Sequence, residues 1–163
     1  MVGAHEYRAT VEWTGNRGRG TRDYRAYGRE HTVTFPGKPP LAGSSDPTFR
    51  GDPGRYNPEE LLVAAVSACH MLWYLHLCSA SDVVVEEYVD RPEGVMEVAG
   101  DGSGRFTRVT LRPFVTIGSG SPARAAELHD SAQRMCFIAN SVKFPILHEP
   151  TVRVRAVSHE SIP

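Results

Sequence analysis

Charge of one sign is what this chain has least of. Its 163 residues carry 18 Lys plus Arg against 19 Asp plus Glu, a formal net charge of −1. A dedicated nucleic-acid binder shows a basic excess, so the composition argues against that class. Cysteine is also scarce. Cys69, Cys78 and Cys136 are too few and too scattered for a secreted disulfide framework. In a reducing compartment thiols stay free, and a disulfide that does form there is usually catalytic or redox-sensing. The longest apolar stretch, Leu61 to Cys78, is interrupted by Ser67, His70 and His76. A bilayer span needs ~20 mainly apolar residues, so the stretch reads as too short and too broken to cross one. No leader or lipidation motif is read at Met1–Thr10. The expectation is a cytoplasmic protein with neither nucleic acid nor membrane as partner. Cys-x-x-Cys and His-Glu-x-x-His spacings are missing, which leaves little zinc signal and no expected metal. Ser67 lacks a Gly-x-Ser-x-Gly elbow, so serine-hydrolase chemistry has no support. There are no internal repeats and no low-complexity tail.

What is present centres on Asn57–Cys78, NPEELLVAAVSACHMLWYLHLC. Asn57 suits a helix N-cap, Pro58 the first helical position, and Glu60 completes a capping pattern three residues on. Behind the cap the stretch is apolar nearly all round, as expected for a buried central helix. Cys69 sits near its middle.

The remaining elements follow in order. His5–Trp13 reads as a strand. Gly15–Gly20 (GNRGRG) reads as a hairpin turn with solvated arginines, since no helix follows to build an anion site. Thr21–Phe35 supplies a second strand, with a third starting near His31. Pro36–Tyr56 reads as a long loop of a length that is often functional. After the helix come strands at Val83–Val89, Val95–Ala99 and Phe106–Ile117. A second helix over Pro122 to about Ile138 is capped by Ser121. Ser141–Pro150 reads as irregular or one helical turn, and Thr151–Val157 as a last strand. The tally is one α+β domain over residues 1–163, with antiparallel sheets wrapped around two central helices. Such a chain can bury roughly two-thirds of its unfolded surface and needs no disulfide staples.

Cys69 and Cys136 are the leading candidates for chemistry, each on a helix face with small or apolar neighbours. Read blandly, both are small buried hydrophobes. Read functionally, one must become a thiolate, which requires a cation. Arg50 and Arg55 lie in the loop just before the helix cap, and a guanidinium stays charged and presents a planar fork of donors. Glu59, ten residues before Cys69, is placed to hold an arginine rather than to touch the sulfur; otherwise it simply complements the helix dipole. Cys78 faces another way and reads as core. His70 and His76 read as packing or capping residues. A Cys-His hydrolase using His70, His129 or His148 as base remains open on residue types alone.

Two motifs carry a resemblance. NPEELLVAAVSAC is similar to the first cysteine motif of the OsmC/Ohr proteins, the osmotically inducible and organic-hydroperoxide-resistance family. AQRMCFIANSVKFPI is similar to its second, and the order of strands, loop and helices matches over essentially the whole chain. The resemblance implies an intertwined α+β homodimer with active sites at the dimer interface. It implies a thiol peroxidase that reduces organic hydroperoxides, and hydrogen peroxide less well, with no cofactor. Cys69 is then the peroxidatic cysteine and Cys136 the resolving cysteine. Glu59 matches the glutamate that pairs with a catalytic arginine. Arg50 matches that arginine's loop position best and Arg22 is the second choice. An external dithiol reductant, such as a lipoylated protein, would restore both thiols. Phe137 stands where the family usually has proline, and HMLWYLHLC departs from the usual continuation. A non-catalytic binder of a small apolar ligand, on the same scaffold, is the alternative from another functional class.

Overall fold

A computed structural model describes residues 3–156. The chain divides into two compact units, residues 1–62 and 63–163. The first holds a three-stranded antiparallel sheet of β1 (Thr10–Trp13), β2 (His31–Thr34) and β3 (Leu41–Gly43) in that order. β1 and β2 are joined by a long excursion rather than a tight turn. Trp13↔His31 is the last ladder pair, and Gly28 N donates to the Gly15 carbonyl at 2.8 Å beyond it. Within the excursion Asn16 Oδ1 accepts from the amides of Gly18 and Gly20. The Arg29 guanidinium lies over the rings of Tyr24 and Tyr27, 4.4 and 4.1 Å from their centroids. Side-chain capping and cation–π contact thus order a segment that has no ladder of its own. No strand forms over residues 21–30, and the strand expected from His31 onward is β2. The expected loop at Pro36–Tyr56 contains β3 and a 3-10 turn, Pro47–Phe49, whose Asp46 cap accepts from the Thr48 amide.

Helix α1 (Pro58–Ser79) starts in the first unit and continues through the second. Its start is the capping box that the sequence announces. Asn57 Oδ1 accepts from the Glu60 amide at 2.8 Å, and Glu60 Oε2 accepts from the Asn57 amide at 3.1 Å. The expectation of all-round burial needs correction. Only the stripe Val66, His70, Tyr74 and Cys78 is buried, at a spacing of four residues, while Ala64, Ala65, Ala68 and Leu72 are exposed. By length and composition α1 also reaches what a membrane span requires, contrary to the reading of a broken run. Its buried stripe nonetheless packs against sheets, as a core helix does.

In the second unit β4 (Val84–Val89), β7 (Phe114–Ser119) and β9 (Thr151–Val154) form one sheet. β5 (Glu93–Val98), β6 (Gly104–Leu111) and β8 (Ile146–His148) form another. Both are mixed, since β6–β8 and β7–β9 pair in parallel and the other neighbours antiparallel. The single strand expected over Phe106–Ile117 is two strands in different sheets. Pro113, which lacks an amide hydrogen, sits at the break, and the Arg112 amide donates to Asp90 Oδ1 instead of a ladder partner. β8 falls where irregular chain was expected. Helix α2 (Pro122–Met135) is capped by Ser121, whose hydroxyl accepts from the Arg124 amide. Tyr74 and Cys78 of α1 pack with Val115 and Ile117 of β7 and Ala125, Leu128 and Ala132 of α2. Val66 packs with Val109, Leu111 and Ile146 on the other sheet. The last part of the expected final strand, Val157, lies outside the described residues.

Candidate active site: two thiols and a histidine cluster

Cys69 is half-buried on α1, and Cys136 is fully buried as the residue that ends α2. The two helices bring these thiols near enough that Cys69 acts on the Cys136 thiol, and both are free. Burial pushes the Cys136 thiol up to about 11. The Ala139 amide, 3.4 Å from Cys136 Sγ, works in the opposite direction, and the neighbouring Cys69 adds to the rise. Cys136 is therefore a neutral thiol at physiological pH, positioned by the turn that follows α2.

An aromatic pair flanks the thiols. Trp73 follows Cys69 by four residues and so shares its helix face. Phe137 follows Cys136, and the two rings meet edge to face with centroids 5.4 Å apart. Phe137 is the residue that departs from the usual proline, and the contact gives it a packing role there. The spacing of Trp73 from Cys69 was visible in the sequence, but its partner across the helices was not.

The three histidines weighed separately as bases form one cluster. His70 Nε2 and His129 Nδ1 are 3.0 Å apart, with nearly parallel rings, and both side chains are buried. Tyr74 stacks on His129 at 3.9 Å between centroids. His148 lies 5.8 Å from the His70 ring and 6.1 Å from the His129 ring. Burial, and then the proximity of His148, hold His70 down at about 4. Burial, followed by His70 and His148, holds His129 at about 3. The pair is a neutral donor–acceptor unit. Among the described residues no group of three His, Cys, Asp or Glu side chains converges as a metal site. Cys78 is buried, as expected, and its thiol is raised by burial. Ser67 donates to Asp90 Oδ2, a bond between α1 and the end of β4.

The remaining candidates belong to the first unit. Glu59 stands half-buried in the first turn of α1. Arg50 is exposed and ends the 3-10 turn with a left-handed backbone, φ 68°. Arg22 is exposed in the long β1–β2 excursion. Among the described residues no hydrogen bond or ion pair joins Glu59 to Arg50 or Arg22, and Arg55 pairs with Asp52 instead.

Residues 51–150, which contain both cysteines, match the family model described as OsmC-like protein. The chain belongs to the OsmC-like family. It is 32% identical to an OsmC-like protein of unknown function from Vibrio cholerae, over 91% of this chain and all of that one, with a TM-score of 0.81. The fold is shared at lower identity. An organic hydroperoxide resistance protein from Elizabethkingia anophelis superimposes with a TM-score of 0.65 at 16% identity, over 95% of this chain and 100% of that one. An organic hydroperoxide resistance protein OsmC from Legionella pneumophila gives 0.66 at 16%, over 94% and 100%. No curated protein matches the chain by sequence. OsmC-like membership accounts for the α+β architecture with both cysteine-bearing helices inside it.

Proposed function

We propose that this OsmC-like chain is a thiol-dependent peroxidase acting on organic hydroperoxides, and less well on hydrogen peroxide. The observation that carries the reading is the approach of two free thiols, one half-buried in mid-helix and one buried at a helix end. In the first step the Cys69 thiolate attacks the outer peroxide oxygen. The O–O bond breaks, Cys69 becomes a sulfenic acid, and the alkoxide takes a proton and leaves as alcohol. In the second step the Cys136 thiol attacks that sulfur. A disulfide forms and the hydroxyl leaves as water with the thiol proton, so a neutral Cys136 supplies what the leaving group needs. An external dithiol, such as a lipoylated protein, then reduces the disulfide. Arg50 or Arg22, held by Glu59, would stabilise the Cys69 thiolate and the developing alkoxide. The Trp73–Phe137 pair presents apolar surface beside the sulfurs, which suits an alkyl group better than a hydrated peroxide.

The site is proposed to work in a cytoplasmic homodimer with its active sites at the interface. The exposed apolar face of α1, with Leu72 63% exposed, supports a second copy as its cover. The test is the free-thiol count and intact mass of reduced protein after one equivalent of cumene hydroperoxide. Rapid loss of two thiols per chain is expected, with a Cys69–Cys136 link. Cys69→Ser should abolish it, and Cys136→Ser should stop at a sulfenic acid. A Cys69 that stays reduced under excess peroxide would leave the non-catalytic ligand-binding reading in its place.

A further inference from the structure

His148 is set between two side chains of α2. Its Nδ1 is 2.7 Å from Gln133 Oε1, and its Nε2 is 3.0 Å from Asp130 Oδ1. The orientation of Gln133 is fixed, because its Nε2 donates to the Ile146 carbonyl at 2.5 Å and a flipped amide would set two oxygens together there. The atom facing Nδ1 is therefore an acceptor, and so is the carboxylate facing Nε2. A neutral imidazole can donate to only one of them, and an imidazolium donates to both. The arrangement ties β8, a strand of three residues, to the last turns of α2. Cys136 ends that helix one turn after Gln133.

We propose that His148 is a positioning residue: protonated, it clamps the end of α2 through Asp130 and Gln133 and so fixes Cys136 beside Cys69. The inference rests on the pairing of these two thiols proposed above. Loss of the proton leaves one ring nitrogen as a lone pair facing an acceptor, the Gln133 oxygen when the remaining N–H stays on the Asp130 carboxylate, which loosens the last turn of α2. The groups facing His148 are His70 from α1, His129 and Asp130 from α2, and its chain neighbour Glu149. Glu149 is engaged by Arg112, which also pairs with Glu93. The His70–His129 pair is neutral and bonded to itself, so Asp130 is the charge that answers His148 directly.

The test is the equilibrium between Cys69–Cys136 dithiol and disulfide in glutathione redox buffers, from about pH 5.5 to about pH 8.5, the range in which imidazoles change charge. The wild-type chain should hold the disulfide roughly three- to fivefold more favourably at the acid end, the worth of a partly exposed charged pair. In Asp130→Asn the carboxamide can donate to a neutral Nε2, so the disulfide should form as readily at both ends and the step should vanish. In His148→Phe it should be uniformly less favourable. A flat wild-type profile, or a step that persists unchanged in Asp130→Asn, overturns the clamp. The same samples are treated with one equivalent of cumene hydroperoxide. A Cys69 that stays reduced while the pH step is present sinks the peroxidase reading and leaves the clamp supported.

Discussion

At the scale of the residue, the buried His70–His129 pair sets how the protein meets acid. In water both imidazoles would take a proton near the ordinary histidine value of ~6.5. Folded, they resist it down to about 4 and about 3, because burial disfavours the charged form. Below the ordinary value the unfolded chain binds protons that the folded chain refuses. The stability is fully present above about pH 6.5 and is lost as pH falls toward the folded values. Two such groups cost roughly 2–4 kcal/mol between about pH 7 and about pH 5, by linkage. Urea unfolding at those two pH values measures it. In His129→Phe roughly half the pH-dependent loss should remain, since one titrating group is gone. An equal loss in both proteins would show that the pair is not its source. The same pair explains why the three histidines could not be ranked as bases from sequence. Nothing in their spacing shows that His70 and His129 spend their facing nitrogens on each other.

At the scale of the element, capping chemistry was legible and short strands were not. Asn57, Pro58 and Glu60 gave the start of α1 to the residue, because a capping box is a local arrangement that needs no tertiary partner. Ser121 did the same for α2. β3 and β8 have three residues each, too few for a period-two pattern to stand out, and their pairing is supplied by β2 and β6. The alternation over Phe106–Ile117 continues through Pro113, so the pattern hid the change of sheet there. The candidate site divides in the same way. The cysteines were marked by their motifs and are brought together by packing of α1 on α2. The Trp73–Phe137 and Asp130–His148–Gln133 contacts join residues far apart in sequence and carry no local mark. The cap gives a clean prediction. Asn57→Ala removes the acceptor for the Glu60 amide and should destabilise the protein by about 1 kcal/mol, the usual worth of such a cap. Asn57→Ser keeps a capping oxygen and should recover most of it. Chemical denaturation of the three proteins checks both, and an alanine variant as stable as wild type would show that α1 is held by packing alone.

At the scale of the whole molecule, α1 has more apolar surface than the described residues cover. Val66, His70, Tyr74 and Cys78 face the sheets and α2, while Ala64, Ala68 and Leu72 follow at four-residue spacing along an open face. Leu72 is 63% exposed, and a soluble monomer gains nothing by leaving a leucine on so apolar a stripe. In the proposed homodimer a second copy would cover this face, its alanines letting the backbones approach and Leu72 filling the remaining depth. Full burial of one leucine side chain contributes roughly 1.5–3 kcal/mol, and a two-fold axis counts it twice. Leu72→Glu would place two carboxylates in that apolar contact, so it should dissociate the assembly at micromolar concentration while the monomer, whose core does not use Leu72, stays folded. Sedimentation velocity, with circular dichroism as the control for folding, measures this directly. If the wild-type chain sediments as a dimer and Leu72→Glu as a folded monomer, the open face of α1 is the contact between copies. A dimer indifferent to Leu72→Glu would place that contact elsewhere, and the proposed interface at the active site would have to be drawn from other surfaces.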